Sequence, residues 1–201
     1  MRKIILAVAM AALLAGMLAF MRTHHASPKP IASGFTVYMT VVVDGKLTAN
    51  VRRQVKSSGD FLEETEHLNA DGSVASQTKA AGTASQGAVA IDANKKLTFF
   101  GRAGVIHSVT EAELKALKTY AREDSLLGYR VIVQRNCDPI ARCTEYWQAP
   151  ELGSDDLKVD IVDGDHRITK EAVTVVKGEP SFQVPDYPTG VSPRLANPGK
   201  P

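Results

Sequence analysis

The sequence predicts a mainly β protein, built as a strongly curved antiparallel sheet or open half-barrel with one helix against its concave face. Apolar and polar residues alternate from Phe35 onward, and turn sequences such as Asp44-Gly45 and Asp71-Gly72 separate the alternating runs. The one convincing helical pattern lies between two groups of strands, so strands and helices do not alternate along the chain. A parallel doubly wound sheet is therefore not expected.

Each element follows from a local pattern. Thr110 is a good N-cap and Glu113 completes a capping box, which predicts a helix of roughly thirteen residues from Thr110 to Arg122. Residues 79–87 are small and polar and predict a loop or a ragged edge strand. The predicted strands are 35–43, 47–55, 61–68, 73–78, 88–91, 97–100, 129–136, 144–149, 157–162 and 167–176.

The N-terminus predicts a membrane segment. Arg2 and Lys3 precede residues 4–21, which carry no charge. A helix of this length spans roughly 27 Å, close to the ~30 Å hydrocarbon core of a bilayer. An uncleaved signal anchor and a cleaved signal peptide both fit, and Met17 stands where a lipoprotein would need its cysteine.

The remaining chain divides into three parts. We expect a linker at 22–34, a single antiparallel β domain at 35–187, and a Pro-rich disordered tail at 188–201. The basic charges near the N-terminus keep that end in the cytoplasm, so the domain is expected to face the periplasm. We expect the protein to be anchored in the inner membrane, or to be secreted to the periplasm if the signal is cleaved.

Charge argues against a nucleic-acid partner. The chain has 24 basic and 22 acidic residues, and residues 1–43 contain four of the basic ones and no acid. The folded part is therefore slightly acidic and has no basic stripe of the kind that binds nucleic acid.

Cys137 and Cys143 are the two cysteines of the chain. In an exported protein, their spacing favours a disulfide across the end of a hairpin. Free or catalytic thiols and a metal site are the alternatives, and a zinc site would need two further ligands.

No catalytic motif is present, and we expect neither an enzyme, a cofactor nor a metal site. The sequence contains no GxSxG, HExxH, P-loop or GxGxxG motif. Asp155, Asp156, Asp160, Asp163 and Asp165 crowd one stretch, but their spacing does not match a calcium loop and favours a solvated hairpin turn.

The concave face is the candidate site. Small apolar residues and a soft methionine on the first strands leave room that one helix covers only partly, so an apolar or lipid-like ligand is expected there. Arg53 interrupts this apolar row. Its side chain either pairs with a ligand head group, or lies at the solvent-exposed end of the strand or snorkels beside an acidic neighbour. The candidate ligand-binding residues are Val37, Met39, Val41, Val51, Arg53 and Phe61.

The C-terminal part carries a resemblance to a known family. Residues 145–153 (EYWQAPELG), then Gly178-Glu179-Pro180 and residues 182–187 (FQVPDY), resemble the end of a group of uncharacterised exported bacterial proteins. That group is similar to the half-barrel of the LolA/LolB-like lipoprotein carriers. The resemblance implies a curved sheet that holds acyl chains.

Two functions remain open at this point. The first is a membrane-tethered, periplasm-facing, non-catalytic domain that binds an apolar or lipid-like ligand. The second is a cell-envelope interaction or scaffold domain with a protein partner and no small-molecule ligand.

Overall fold

The fold is a single antiparallel sheet that is not closed into a barrel. A computed structural model describes residues 31–83, 87–91, 97–100, 110–138 and 142–184. Within these residues, eleven strands pair in the order β6-β5-β4-β3-β2-β1-β11-β10-β9-β8-β7. The predicted fold class, an open curved antiparallel sheet with a short helix, is confirmed.

The described residues also contain one α-helix, α1 (Glu111–Ala116), and a 3-10 turn at Pro150–Leu152. The strands are β1 (Phe35–Val43), β2 (Lys46–Val55), β3 (Phe61–Leu68), β4 (Val74–Thr83), β5 (Gly87–Ile91), β6 (Leu97–Phe100), β7 (Tyr120–Leu126), β8 (Tyr129–Cys137), β9 (Arg142–Ala149), β10 (Asp155–Asp163) and β11 (His166–Lys177).

The first and last strands of the chain meet at the centre of the sheet. β1 pairs with both β2 and β11, while the other neighbours in the sheet are consecutive along the chain. Asp44 and Gly45 adopt positive φ of 50° and 78° between β1 and β2, as expected for a tight hairpin. The sheet therefore consists of two meanders, β1–β6 and β7–β11, joined along β1 and β11.

The register defines an inner face of the sheet. Val41 pairs with Lys170, Lys170 with Val159, Val159 with Tyr146 and Tyr146 with Gln134, so these side chains share one face. The Lys170 ammonium on β11 reaches the Glu63 carboxylate on β3 at 3.0 Å, across β1 and β2. A flat sheet would hold these groups too far apart, so this face is concave.

The core lies largely on this inner face. Phe35 and Val37 of β1 are fully buried, and they belong to one cluster with Val55 of β2 and Leu157 of β10. Val37, Met39 and Val41 alternate with half-buried or exposed residues, as a strand with one apolar face requires.

The helix is shorter than the sequence pattern predicts. The capping box at Thr110 forms as expected, but α1 ends at Ala116 and buries only Leu114. The predicted remainder of the helix includes the start of β7, an exposed strand that pairs with β8. A helix that buries one apolar residue gains little stability from packing. Pairing of the following segment with β8 therefore outweighs its helical propensity.

A second correction concerns residues 79–83 and 87 of the segment 79–87, whose residues 84–86 lie outside the described ranges. β4 continues through Thr83 and pairs with both β3 and β5, where a loop or ragged edge strand was predicted. Ala80, Ala81 and Gly82 are poor strand formers, so the cross-strand partners determine their conformation.

The C-terminal segment packs on the start of the sheet. The Glu179 carboxylate accepts hydrogen bonds from the backbone N–H groups of Gly34 and Ser57, both at 3.2 Å. Lys56 donates to the Phe182 carbonyl at 2.8 Å and lies 4.5 Å from the Phe182 ring centroid. The GEP and Phe residues of the quoted motif therefore anchor the chain end. Residues 188–201 lie outside the described residues.

The disulfide forms where the spacing predicts it. Cys137 and Cys143 are directly paired across β8 and β9, are bonded, and have Cα atoms 4.1 Å apart. The bond closes the end of this hairpin.

No helix in the described ranges is long and apolar enough to cross a membrane. The predicted anchor at residues 4–21 lies outside those ranges.

Candidate functional site

The predicted apolar site residues come together on the inner face. Val37, Met39 and Val41 lie on β1, while Val51 and Phe61 lie on β2 and β3, and all five belong to the core cluster. Their exposed fractions are 0 to 5%, so their side chains are covered by the surrounding chain in this structure. α1 contacts β7 and β8 at the edge of the sheet. The predicted room beneath a single covering helix is therefore not seen, and a ligand role for these residues stays a prediction.

Arg53 is buried in the middle of this apolar face, and the predicted exposed strand end is wrong. Its Nε lies 3.0 Å from both carboxylate oxygens of Asp155, and its Nη1 lies 3.0 Å from Glu63. The guanidinium also lies 4.9 Å from the centroid of the Phe61 ring. An arginine that is 5% exposed is tolerated because both carboxylates neutralise and hydrogen-bond it.

Glu63 connects Arg53 to a second cation. Its other oxygen accepts a hydrogen bond from Lys170 at 3.0 Å. Burial opposes ionisation of Glu63, but Lys170 and Arg53 outweigh it and lower the pKa of this carboxyl to about 2. We call Arg53, Glu63, Asp155, Asp156 and Lys170 the inner cluster.

Asp156 is the unusual member of the inner cluster. Burial and the adjacent Asp155 carboxylate raise the pKa of Asp156 to about 7, although Arg53, Lys170 and the Gln148 amide act in the opposite direction. Burial and Asp156 together raise the pKa of Tyr146 to about 12. Asp156 is therefore poised to gain or lose a proton near neutral pH.

Two buried oxygens, one in the inner cluster and one beside it, have no hydrogen-bond donor. They are Oδ1 of Asp156 and Oε1 of Gln148, and the two residues face each other across β10 and β9. Gln148 is 1% exposed. Unsatisfied buried acceptors are uncommon in a core that serves only packing.

The acidic stretch departs from the predicted solvated turn. Asp155 pairs with Arg53 and Asp160 with Arg167, while Asp163 at the hairpin tip is exposed. Among the residues that the structure describes, no three His, Cys, Asp or Glu side chains are arranged to hold a metal ion.

Sequence reasoning missed the inner cluster because its members are far apart in the chain. Arg53 and Asp155 are 102 residues apart, and Lys170 and Glu63 are 107 residues apart. One signal was present, since Arg53 and Glu63 occupy core-facing positions on adjacent predicted strands with opposite charges.

The outer face carries a polar cleft of about 360 Å³ over β1 to β4. Glu64 lies between Arg52 and Lys79, while Glu66 accepts a hydrogen bond from the Gln77 amide at 3.1 Å. Tyr38 forms part of its wall.

The comparisons with known proteins are sparse. No family model and no curated protein matches this chain. A solved structure, a domain from Vibrio parahaemolyticus described as an outer membrane lipoprotein-sorting protein, aligns over 80% of this chain and 87% of its own, with a TM-score of 0.33 and 7% identity. At that score the likeness carries no argument about the function of this chain.

Proposed function

We propose that this chain is a membrane-tethered, periplasm-facing, non-catalytic domain that binds an apolar or lipid-like ligand within its curved sheet. One observation carries the proposal. The inner face combines a continuous apolar surface with a charged cluster whose hydrogen bonds are incomplete. Apolar walls, a few convergent polar groups and a perturbed pKa are the usual composition of a ligand site.

The apolar part has the chemistry needed for an alkyl chain. Val37, Val41, Val51 and Phe61 offer dispersion contacts, and Met39 can adapt its shape to a guest. Each methylene taken from water contributes about 0.8 kcal/mol, so ten buried carbons contribute roughly 8 kcal/mol before ordering is subtracted.

A ligand must displace side chains, because the apolar residues are shielded in this structure. The pairs Arg53–Asp155 and Lys170–Glu63 link β2 and β3 to β10 and β11 across the inner face. We propose that ligand entry separates these two sides of the face locally. Small and flexible side chains lower the free energy needed for such repacking.

The location in the envelope is supported by two features. The disulfide between Cys137 and Cys143 fits an oxidising compartment. The uncharged run at residues 4–21 supports the tether or export signal.

Photo-crosslinking tests the proposal directly. The full chain in phosphatidylcholine nanodiscs is labelled with diazirine-bearing dodecanol, and the modified residues are identified by mass spectrometry. We expect saturable labelling of inner-face residues of β1 to β3 and a clear loss in Val41→Trp, which fills the interior.

The matched control is Val42→Trp, because the alternation of β1 places residue 42 on the opposite face of the same strand. Circular dichroism establishes that both variants are folded. Labelling spread over both faces, or labelling indifferent to Val41→Trp, would reject an interior ligand.

A second candidate function is an envelope protein-interaction domain. Tyr38, Val173 and Val176 are exposed by 42 to 53% near the centre of the outer face, on β1 and β11. Exposed apolar side chains of this kind favour protein contacts. Tyr38→Asp would then abolish crosslinking to a partner protein in cells and leave interior labelling unchanged.

A further inference from the structure

Two unpartnered oxygens, one in the inner cluster and one beside it, define the chemistry of a group that would bind there. Oε1 of Gln148 and Oδ1 of Asp156 are both acceptors, both shielded from solvent, and both without a donor. The Gln148 amide acts as a hydrogen-bond donor that lowers the pKa of Asp156, and its Oε1 is an acceptor. A proton on Asp156 shared with Gln148 Oε1 completes this pair at low pH, and once Asp156 is ionised the group that completes it must donate hydrogen bonds.

The charge balance of the inner cluster specifies the donor further. Arg53 and Lys170 contribute two positive charges, while Glu63, Asp155 and Asp156 contribute three negative charges when all are ionised. One carboxylate is therefore in excess. A proton on Asp156 balances the cluster, and a bound monovalent cation would balance it equally well.

We propose that Gln148 and Asp156 bind a primary ammonium group, so that the ligand of the inner face is an amphiphile with a cationic amine head. This inference rests on the proposed function for the apolar part of the ligand. An ammonium group has three N–H donors and one positive charge, and therefore satisfies both oxygens and the excess carboxylate together.

Other head groups meet these requirements less well. A carboxylate or phosphate would add negative charge beside two acceptors. A hydroxyl, or a single buried water, donates hydrogen bonds but leaves the excess charge in place. Within the described ranges, no three metal-ligating side chains come together to hold a metal ion.

Binding exchanges one cation for another. Asp156 releases its proton to solvent when the ammonium group arrives, so the net charge of the inner cluster with its ligand stays constant. The groups around Asp156 are Asp155, Arg53, Lys170 and Tyr146. Since Asp156 titrates near neutral pH, amine binding is expected to weaken as the pH falls below 7.

The test compares three amphiphiles of equal chain length on the full chain in nanodiscs. Diazirine-labelled dodecylamine, dodecanol and dodecanoic acid are offered separately at pH 8. We expect interior labelling to favour the amine over the alcohol by about tenfold, as for a hydrogen bond to a charged group. Asp156→Asn and Gln148→Leu should each remove this preference and retain dodecanol labelling.

The matched control is Asp163→Asn, an exposed aspartate on the same strand, which should keep the preference. Equal labelling by amine and alcohol would overturn the ammonium site and leave the interior ligand intact. A preference that survives Asp156→Asn would overturn it as well.

A second measurement separates this inference from the proposed function. If none of the three amphiphiles labels the interior, the proposed function fails. Ethanolamine is then titrated against the full chain while the Asp156 carboxyl is followed by carbon-13 NMR, with sodium chloride at equal ionic strength as control. A lowered apparent pKa with ethanolamine alone supports the ammonium site, and an unchanged pKa overturns it.

Discussion

Replacing Asp156 with asparagine is expected to stabilise the folded protein at neutral pH and to have little effect at pH 4. Asparagine keeps the shape of the side chain and cannot ionise beside Asp155. Its amide nitrogen also brings a donor into the neighbourhood of Gln148 Oε1, which lacks one. The variant therefore removes two unfavourable features of this site together.

The magnitude follows from the pKa of Asp156, which burial and Asp155 raise from 3.8 to about 7. Each pKa unit corresponds to about 1.4 kcal/mol, so ionisation in the folded state costs up to about 4 kcal/mol above pH 7. We expect a gain of about 1 to 4 kcal/mol, because the half-buried side chain keeps some contact with solvent.

The pH dependence has a definite sign. Below pH 4 the folded and unfolded states both hold the proton, and the carboxyl contributes nothing to the free energy of unfolding. Between pH 4 and 7 only the folded state holds it, so the wild-type protein loses stability as the pH rises. The advantage of Asp156→Asn should grow across this window and level off above pH 8.

Urea denaturation of the full chain, followed by far-UV circular dichroism from pH 4 to 9, measures this difference. Asp163→Asn is the matched control and should show no pH-dependent gain. A destabilised Asp156→Asn at pH 8 would refute the reasoning. Such a result would show that attraction to Arg53 and Lys170 stabilises the ionised Asp156 carboxylate by more than burial and repulsion from Asp155 destabilise it.

Three further variants test the structural contacts. Arg53→Met should lower the free energy of unfolding by about 3 to 5 kcal/mol in urea, because it leaves Asp155 buried without its cation; a neutral effect would mean that water replaces the pair. Gly34→Ala should lower the free energy of unfolding by about 1 kcal/mol or more, because the added Cβ would lie 2.5 Å from Glu179 Oε2. The displaced C-terminal segment should become sensitive to proteolysis, and unchanged cleavage would contradict its packing against Gly34. Cys137→Ser should lower the free energy of unfolding by about 2 kcal/mol, and reductant should lower that of the wild type by the same amount. A variant as stable as the oxidised protein would show that the disulfide contributes nothing to stability.

The strands were predictable wherever one face is apolar and the other polar. β1 shows this pattern most clearly, and its observed bounds are those predicted. β7 was not predictable in the same way, because most of its side chains are exposed and an alternation of buried and exposed residues is missing. Its pairing with β8 supplies the structure, and pairing depends on residues outside the local window.

The candidate site was predictable in its apolar part and not in its polar part. The apolar residues share a face by simple alternation, which the sequence displays. The inner cluster depends on which strands face each other across the concavity, and that follows from the pairing of β1 with β11. Asp155 and Asp156 resemble turn residues in composition, so their burial has no local signal.

Four paired charges in an apolar interior are weak evidence that the charges stabilise the fold. Replacing a buried ion-pair network by apolar side chains of similar volume is often neutral or stabilising by about 1 to 4 kcal/mol. The combined variant Arg53→Met, Glu63→Leu, Asp155→Leu and Lys170→Met should therefore be at least as stable in urea as the wild type, unlike Arg53→Met alone. A combined variant as unstable as Arg53→Met would instead assign these charges to the structure of the sheet.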